Sequence, residues 1–427
     1  MRIEPHHPLQ GRLQPPGDKS ISHRALLLAA IADGDSVITN FLPSRDCLAT
    51  LACVRDLGVH ITVHDHATLT VHGRGLHGLR SSTGPLDCVR SGTTMRLLAG
   101  LLSGQAFSTI LTGEEQLLRR PMERVAGPLR RLGAKIETSD GHAPLSIHAG
   151  ELQGGNLPLS VPSAQVKSAL LLAGLYASSP VSVHQSAPTR DHTERMLAWM
   201  GADITIDVDR ATVNPTNCLS PLSIGIPGDI SAAAFPIVGA AIVPGSEVIL
   251  TGVGINATRT GIVDVLQEMG AQIDISHEHM EGNEPVGQIR VSASALRGVR
   301  IGGETVVRMI DELPLLAVAA TQAEGRTEVC DAAELRVKET DRIATVVAEL
   351  RKLGARIEEK PDGLVVEGPT ALTGGTVDSH GDHRLAMALA IAGLVAEKEV
   401  VVHNISCIGD SFPDFISQMK SIGASYD

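Results

Sequence analysis

Short clusters of basic residues are the parts of this sequence best suited to chemistry on small anions. They are Gly17-Asp18-Lys19-Ser20 with Arg24, Arg119-Arg120-Pro121, Ser163-Ala164-Gln165-Val166-Lys167, Arg190-Asp191-His192-Thr193-Glu194, Lys338-Glu339-Thr340-Asp341-Arg342 and Gly381-Asp382-His383-Arg384. Lysine and arginine bind phosphate and carboxylate oxygens by charge-assisted hydrogen bonds. Because the formal net charge is −12, the clusters must attract anions locally. Aromatic residues are only 2% of the chain, which argues against stacking on nucleic-acid bases.

Acidic residues beside these cations favour an enzyme over a silent anion-binding module. Asp311 opens the segment Asp311-Glu312-Leu313-Pro314, and Glu339 lies between Lys338 and Arg342. Carboxylates weaken anion binding, but they can take or give a proton during a reaction. Each feature also has a structural interpretation: Asp311 could simply cap a helix, and Lys338 and Arg342 could form a solvated, salt-bridged helix face.

Two further patterns resemble ligand sites, but we do not expect them to bind a cofactor. His380, Asp382 and His383 are metal-binding residue types, yet the two histidines lack a clear third partner. Gly73-Arg74-Gly75-Leu76-His77-Gly78 matches the dinucleotide fingerprint, but the following residues 81–85 indicate a turn where the fingerprint needs a helix. We therefore expect neither a metal ion nor an organic cofactor.

A repeated α/β element must position the clusters. A three-residue motif, in which Leu, Met or Ile is followed by Gly and then by Ala or Val, recurs six times at intervals of roughly 70 to 85 residues. The glycines of the six copies are Gly58, Gly133, Gly201, Gly270, Gly354 and Gly423. Each copy ends an amphipathic stretch and, except at the chain end, precedes an alternating run, which predicts a helix, a glycine C-cap and a strand.

A second repeated motif lies between these copies. It consists of a polar start, an apolar helix of small residues, a turn and a strand rich in β-branched residues. Its copies are 22–38, 93–111, 163–183, 231–250, 311–329 and 382–402. Helices that are apolar nearly all round are buried, and the N-terminus of a buried helix attracts anions through its free N–H groups and its dipole. Because the basic clusters lie at such starts, we expect them to hold anions in a cleft between two halves.

The chain length favours two domains, since 427 residues exceed what one hydrophobic core usually serves. Pro16-Gly17-Asp18 opens the first set of three repeats, and Pro227-Gly228-Asp229 opens the second. We predict an α/β protein with an N-terminal domain at 15–227 and a C-terminal domain formed by 1–14 together with 228–427.

Taken together, the segments closely resemble the 5-enolpyruvylshikimate-3-phosphate synthase family over essentially the whole chain. The Ser-Ala-Gln-x-Lys motif at 163–167, the Arg-x-His-x-Glu motif at 190–194 and Asn256-Ala257-Thr258-Arg259 are similar to its class II branch. The resemblance implies two inside-out α/β domains, each of three βαβαββ units, joined by two chain crossings. It implies transfer of the enolpyruvyl group of phosphoenolpyruvate to the 5-hydroxyl of shikimate 3-phosphate, with release of phosphate, on the pathway to chorismate and aromatic amino acids.

The resemblance also implies the site residues. The shikimate 3-phosphate site would be lined by Lys19, Ser20, Arg24, Ser163, Ala164, Gln165, Asp311 and Lys338, and we add Arg190 as a clamp on the phosphate. The phosphoenolpyruvate site would be lined by Lys19, Gly92, Arg120, Gln165, Arg342 and Arg384. The 5-hydroxyl needs a base and C3 of phosphoenolpyruvate must gain a proton, so we assign Asp311 as base and Glu339 as acid, with Lys19 as the alternative donor.

Two departures from the family pattern concern phosphoenolpyruvate. Many relatives carry a lysine in the segment that reads Asp410-Ser411-Phe412-Pro413 here, so one contact is missing or supplied elsewhere. Gly92 stands where some class II members have alanine. The nearest alternative is the enolpyruvyl transferase acting on a nucleotide sugar, which has Lys-Asn where Lys19-Ser20 stands. That enzyme usually has a cysteine in the loop that corresponds to 113–118, and this chain has none there.

Composition bears on the compartment. The six cysteines include no Cys-x-x-Cys pair, which suits reduced thiols. Met1 precedes a polar stretch without an apolar signal core, and no apolar run reaches the roughly 20 residues of a membrane span. We expect a cytoplasmic monomer that binds small-molecule substrates and neither nucleic acid nor a membrane.

Overall fold

The computed structural model describes the whole chain, Met1 to Asp427, as two compact units. The N-terminal unit comprises Gly17–Ile226 and Glu281–Glu284, and the C-terminal unit comprises Met1–Pro16, Pro227–Met280 and Pro285–Asp427. Each unit has its own cluster of buried apolar residues. None of the helices combines the length and the apolar character needed to cross a lipid bilayer.

Each unit contains three four-stranded sheets, and all six sheets have the same plan. In one sheet, Leu86–Asp87 pairs in parallel with Thr109–Thr112, which pairs antiparallel with His142–His148, which pairs antiparallel with Lys135–Ser139. Helices separate the first, second and third of these strands along the chain, so the order is βαβαββ. The predicted α/β class and the six repeats are confirmed.

The strands are short and follow the order of the repeats. In the N-terminal unit they are Asp35–Thr39, His60–Val63, Leu69–His72, Leu86–Asp87, Thr109–Thr112, Lys135–Ser139, His142–His148, Gly155–Pro158, Val181–His184, Ile204–Ile206, Arg210–Val213 and Ser223–Gly225. In the other unit they are Arg2–Glu4, Gln10–Leu13, Glu247–Gly254, Gln272–Glu281, Glu284–Ser292, Arg300–Ile301, Gly325–Val329, Ile357–Lys360, Gly363–Gly368, Gly375–Asp378, Val400–His403 and Ser425–Tyr426.

Each unit takes one edge strand from a distant part of the sequence. Ser223–Gly225 pairs in parallel with Asp35–Thr39 and completes the first sheet of the N-terminal unit. Gln10–Leu13 pairs in parallel with Glu247–Gly254 and does the same in the C-terminal unit. These pairings supply the first strand that the opening repeat of each unit lacks in its own sequence.

The helices fall into a buried and a more exposed set. The buried central helices are Lys19–Ala30, Gly92–Leu102 and Ala164–Gly174 in the N-terminal unit, and Ile230–Ile242, Leu313–Gln322 and His383–Gly393 in the C-terminal unit. The outer helices are Arg45–Asp56, Glu115–Leu118, Glu123–Arg131, His192–Trp199, Gly261–Glu268, Gly303–Arg308, Arg342–Lys352 and Phe415–Ser421, with 3-10 turns at Ala333–Val337 and Ile405–Asp410. Because the apolar helices lie inside, the sheets and outer helices cover them, as the inside-out prediction requires.

Small residues allow the central helices to approach closely. A Cβ atom placed on Gly100 would lie 2.1 Å from the carbonyl oxygen of Ala169, so helices Gly92–Leu102 and Ala164–Gly174 meet almost backbone to backbone. Any side chain at position 100 would force these two helices apart. The repeat glycines confirm the predicted C-caps: Gly58, Gly133, Gly201, Gly270, Gly354 and Gly423 all have positive φ, between 87° and 107°.

Candidate functional site

The central helices of the N-terminal unit begin with capped first turns. The side chain of Asp18 accepts a hydrogen bond from the N–H of Ile21, Ser91 accepts one from Thr94, and Ser163 accepts one from Val166. These caps fix the helix starts that carry the predicted site residues, because each uses one of the N–H groups left free by the helix.

One group of predicted residues gathers around Gly92. Arg96 Nη1 donates to Gln165 Oε1 at 2.5 Å, and Gln165 Nε2 donates to Thr93 Oγ1 at 2.9 Å. A Cβ on Gly92 would lie 2.8 Å from Arg120 Nη1 and 3.1 Å from Arg96 Nη1. The structure therefore brings Gly92, Arg120 and Gln165 together, with two guanidinium groups beside a bare Cα.

A second group forms around the start of the first central helix. Lys19 Nζ lies 3.0 Å from Asp46 Oδ2. Arg24 Nη1 donates to the carbonyl oxygen of Ser20 at 2.9 Å, and Arg190 Nη1 lies 3.5 Å from Ser20 Oγ. Burial, and then the charges of Lys19 and Arg24, hold the pKa of the neighbouring His23 well below its ordinary value, so that imidazole is neutral. Lys19, Ser20, Arg24 and Arg190 therefore lie close together.

Lys167, the last residue of the Ser-Ala-Gln-x-Lys motif, forms a buried ion pair. Lys167 Nζ lies 2.6 Å from Glu194 Oε1, and both side chains are only 1% exposed. Lys167 also donates to the carbonyl oxygen of Thr189 at 3.3 Å. This buried pair joins the third central helix to the helix His192–Trp199 and is a structural contact.

In the C-terminal unit Arg342 is surrounded by carboxylates. Its Nη1 lies 3.2 Å from Asp311 Oδ1, its Nη2 donates to Glu339 Oε2 at 2.6 Å, and its Nε donates to Asp382 Oδ2 at 2.7 Å. The side chain is 2% exposed. One rigid guanidinium plane therefore sets the positions of Asp311 and Glu339, the two residues predicted to handle protons.

Two more cations complete this group. Lys338 Nζ lies 3.9 Å from Asp311 Oδ1, and Arg384 Nη2 lies 4.0 Å from Asp311 Oδ2. Burial lowers the pKa of Lys338, although the nearby Asp311 opposes the shift. Asp311 therefore has three basic side chains within 4.0 Å, counting Arg342.

Some local expectations about helix starts were wrong. The cluster Arg119-Arg120-Pro121 was expected at a helix start, but the next helix begins at Glu123, and Arg120 lies in the link after Glu115–Leu118. Asp311 was placed at a helix start, whereas Leu313 begins that helix and Glu312 is its N-cap. In both cases the backbone turns once more before the helix begins, which leaves the functional side chain on a loop.

Several neighbours of the site were not among the predicted residues. Arg96 is buried beside Gln165, and the buried Glu312 has its Oε1 3.8 Å from Nη1 of the predicted Arg384. Arg259 Nη2 donates to Asp229 Oδ1 at 3.0 Å and to Ser231 Oγ at 2.8 Å. For Arg96 the available signal was the residue type itself, because a charged residue within an apolar helix needs a buried partner or a ligand.

Two further segments that the sequence analysis singled out are the one at 410–413 and the one that contains His380 and Asp382. Asp410 is buried at the end of the 3-10 turn Ile405–Asp410, and Phe412 belongs to the apolar core of the C-terminal unit. His380 Nε2 lies 2.7 Å from Glu349 Oε1, and Asp382 contacts Arg342. The structure contains no cluster of three or more His, Cys, Asp or Glu side chains arranged to hold a metal ion.

Known proteins share both the sequence and the fold. The sequence profile of the EPSP synthase (3-phosphoshikimate 1-carboxyvinyltransferase) family matches residues 3–419. The 3-phosphoshikimate 1-carboxyvinyltransferase of Desulforudis audaxviator is 51% identical over 99% of each chain, and that of Chloroflexus aggregans is 53% identical over 97% of each.

The solved structure of EPSP synthase from Acinetobacter baumannii superposes with a TM-score of 0.89 at 41% identity, covering 100% of this chain and 99% of that one. The enolpyruvyl transferase NikO from Streptomyces tendae shares the fold, with a TM-score of 0.83 at 20% identity and coverage of 99% and 97%. The chain therefore belongs to the EPSP synthase family, the 3-phosphoshikimate 1-carboxyvinyltransferases, which transfer the enolpyruvyl group of phosphoenolpyruvate to shikimate 3-phosphate.

Proposed function

We propose that the groups described above bind and convert the two substrates of this reaction. For shikimate 3-phosphate the proposed residues are Lys19, Ser20, Arg24, Ser163, Ala164, Gln165, Arg190, Asp311 and Lys338. For phosphoenolpyruvate they are Lys19, Gly92, Arg120, Gln165, Arg342 and Arg384. Each substrate carries a phosphate and a carboxylate, and arginine forks suit such oxygens.

One observation carries the proposed chemistry: Asp311 and Glu339 contact different terminal nitrogens of the same arginine, Arg342. Asp311 accepts the proton of the 5-hydroxyl as its oxygen bonds to C2 of phosphoenolpyruvate, and Glu339 delivers a proton to C3. The C2–O bond to phosphate then breaks, and C3 returns a proton as the double bond re-forms. Lys19 remains the alternative donor to C3.

The acids also argue against a silent anion-binding module, since three carboxylates around Arg342 reduce its attraction for anions. The nucleotide-sugar transferase is disfavoured by the loop at 113–118, which forms the short helix Glu115–Leu118 and has no cysteine.

The proposal also covers the domain boundaries, the compartment, the oligomeric state and the need for cofactors. The proposed domains are 15–227 and 1–14 with 228–427; support comes from the division of the chain into two compact units near Gly17 and Pro227, although Glu281–Glu284 groups with the N-terminal unit. The enzyme acts as a cytoplasmic monomer, without a metal ion or an organic cofactor. Support comes from the reduced cysteines and from the supply of basic side chains, which neutralise both substrates without an added cation.

The test measures phosphate released from phosphoenolpyruvate by the purified protein. Release should require shikimate 3-phosphate, and mass spectrometry should find the enolpyruvyl ether of that compound. A nucleotide sugar offered in its place should give no release. Release only with the nucleotide sugar, or with neither acceptor, would overturn the proposed function.

A further inference from the structure

The N-terminal unit includes four residues from a distant hairpin turn. Residues Glu281-Gly282-Asn283-Glu284, here called the hairpin tip, join strands Gln272–Glu281 and Glu284–Ser292 and group with the N-terminal unit. Gly282 and Asn283 have φ values of 54° and 64°, which is the two-residue turn that suits the twist of a hairpin. A tight turn of this kind presents its two flanking glutamates in fixed positions.

The hairpin tip is bound to the helix His192–Trp199. Glu284 Oε1 lies 2.7 Å from His192 Nδ1, and both side chains are 2% exposed. Arg195 Nη1 donates to the carbonyl oxygen of Asn283 at 3.0 Å, and Asn283 Nδ2 donates to that of Arg195 at 3.3 Å. A Cβ on Gly282 would lie 2.4 Å from the ring of Trp199, so the indole covers the turn.

Side chains from two central helices also hold the start of the helix His192–Trp199. Thr193 Oγ1 accepts from Arg24 Nε at 2.7 Å and donates to Ser168 Oγ at 2.7 Å. Glu194 pairs with the buried Lys167. His192, Thr193 and Glu194 are consecutive, so three successive side chains fix this start against the hairpin tip and two central helices.

This helix start determines where Arg190 lies. Arg190 is two residues before His192, and the residue between them, Asp191, accepts from Arg195 Nε at 2.8 Å. Arg195 is also the residue that binds the hairpin tip. A displacement of His192 would therefore move the loop that presents Arg190 beside Ser20.

We propose that Glu284 is a positioning residue for the shikimate 3-phosphate site: through His192 it holds the helix start from which Arg190 reaches Ser20 and Thr193 reaches Arg24. The inference rests on the proposed function, in which Arg24 and Arg190 bind this substrate. Removing Glu284 deletes the 2.7 Å contact between His192 and this buried carboxylate, and the loss of a buried contact of this kind drives local rearrangement.

The experiment compares Glu284→Ala with the unaltered protein in steady-state kinetics. We expect the KM for shikimate 3-phosphate to rise roughly tenfold to hundredfold, as for a misplaced substrate contact, while the KM for phosphoenolpyruvate stays within about twofold. Glu284→Gln keeps an acceptor for His192 and should recover part of the loss. Trp199, the only tryptophan in the chain, should change its emission as the hairpin tip loosens.

Glu281→Gln is the matched control. Glu281 belongs to the hairpin tip but accepts from the backbone N–H of Gly225 at 3.1 Å, away from His192. This variant should leave the KM for shikimate 3-phosphate unchanged. If Glu284→Ala does not fold, Glu284→Asp, which withdraws the carboxylate by one methylene, takes its place and should also raise this KM.

An unchanged KM for shikimate 3-phosphate in a folded Glu284→Ala or Glu284→Asp protein would overturn the inference, as would an equal rise for both substrates. A failure of the proposed function looks different, because the unaltered protein would then release no phosphate in response to shikimate 3-phosphate.

Discussion

Arg342 illustrates how a single residue would serve binding and proton transfer together in the proposed site. It is paired with three carboxylates, so its charge is largely compensated before any anion arrives. The attraction it retains depends on those partners staying ionised. Glu339 and Asp311 differ from Asp382 in being partly accessible, with 21% and 15% of their side chains exposed against 0%. The accessibility of Asp311 and Glu339 suits their proposed exchange of protons with substrate.

The first prediction removes each proton carrier without changing its shape. Asp311→Asn and Glu339→Gln should each lower turnover by roughly a hundredfold to ten-thousandfold, with smaller effects on substrate KM, because the lost group acts in the transition state. Rapid-quench measurement of phosphate release checks this. Glu359→Gln, a contact of Arg336 on the surface, is the control and should keep normal turnover. Near-normal turnover in Asp311→Asn would contradict the assignment of Asp311 as the base. If only Glu339→Gln kept near-normal turnover, the role of acid would pass to Lys19.

The second prediction concerns Gly92. Gly92→Ala would place a methyl group 2.8 Å from Arg120 Nη1, so the end of that flexible side chain must shift. Because the buried Arg96 Nη1, 3.1 Å from the same methyl group, must also yield slightly, we expect the KM for phosphoenolpyruvate to rise by about tenfold with at most a small fall in the melting temperature. Gly127→Ala is the matched control, since its nearest neighbour, Glu123 Oε1, lies 3.4 Å away. An unchanged KM for phosphoenolpyruvate would show that Arg120 does not bind it where the structure places it.

At this scale the sequence predicted residue types and local neighbours well, but not partners across the fold. Lys19, Ser20 and Arg24 share one helix, so their proximity follows from helical spacing. Arg96 and Gln165 are 69 positions apart, and Arg342 and Asp382 are 40 apart. No local pattern encodes such pairs, because they depend on how separate repeats pack.

At the scale of elements, the helix Arg342–Lys352 connects the proposed proton carriers to the structure that supports them. Arg342 occupies its first turn, and Glu349 near its end accepts from Lys352, from His380 and from the N–H of Asp378. His380 directly precedes the loop that carries Asp382. Glu349, near the end of the helix, therefore holds the loop at His380, and Arg342, at its start, holds the carboxylate of Asp382.

The third prediction follows from the titration of Glu349. Burial raises its pKa, but hydrogen bonds from Lys352 and His380 outweigh burial, and the net shift is downward from 4.5. A folded-state pKa below the unfolded value stabilises the protein above pH 4.5, and this stability is lost as pH falls through the folded-state value. Glu349→Gln should lower the unfolding free energy near neutral pH by about 1–3 kcal/mol and flatten its decline in acid.

Urea unfolding measured from neutral to acid pH checks this, with the exposed Glu397→Gln as a control that should follow the unaltered protein. An acid decline of the same slope in Glu349→Gln would mean that another carboxylate is responsible.

Elements were predictable where the signal is local. The glycine C-caps and the polar starts of the central helices follow from neighbouring residues, and both are observed. The link at Arg120-Pro121 was misjudged, because proline suits a first helical turn and a turn before a helix equally well. The pairing of Ser223–Gly225 with Asp35–Thr39 joins strands far apart in the chain, and no short-range pattern determines it.

At the scale of the whole molecule, the charge balance leads to the fourth prediction. The chain carries 36 basic and 48 acidic residues, yet the proposed substrate groups concentrate cations at helix starts. If side chains alone neutralise both substrates, treatment with EDTA followed by desalting should leave turnover unchanged. Activity lost on chelation and restored by one divalent ion would contradict this.

The last prediction concerns how the molecule unfolds. The buried apolar residues form two separate clusters, one in each unit, and each surrounds its own three central helices. Because hydrophobic contacts supply most of the cooperativity of unfolding, two clusters predict two calorimetric transitions. Leu98→Ala and Leu316→Ala remove the same atoms from fully buried positions in the N-terminal and C-terminal clusters. Each should destabilise one transition by about 2–5 kcal/mol and leave the other in place.

Hydrogen exchange assigns the transitions, because Leu98→Ala should raise exchange only in peptides of the N-terminal unit, and Leu316→Ala only in those of the C-terminal unit. Leu48→Ala is the control, since Leu48 is 46% exposed on the helix Arg45–Asp56 and its loss should change stability by less than about 0.5 kcal/mol. A single transition that both buried variants shift equally would mean that the two clusters unfold as one cooperative core.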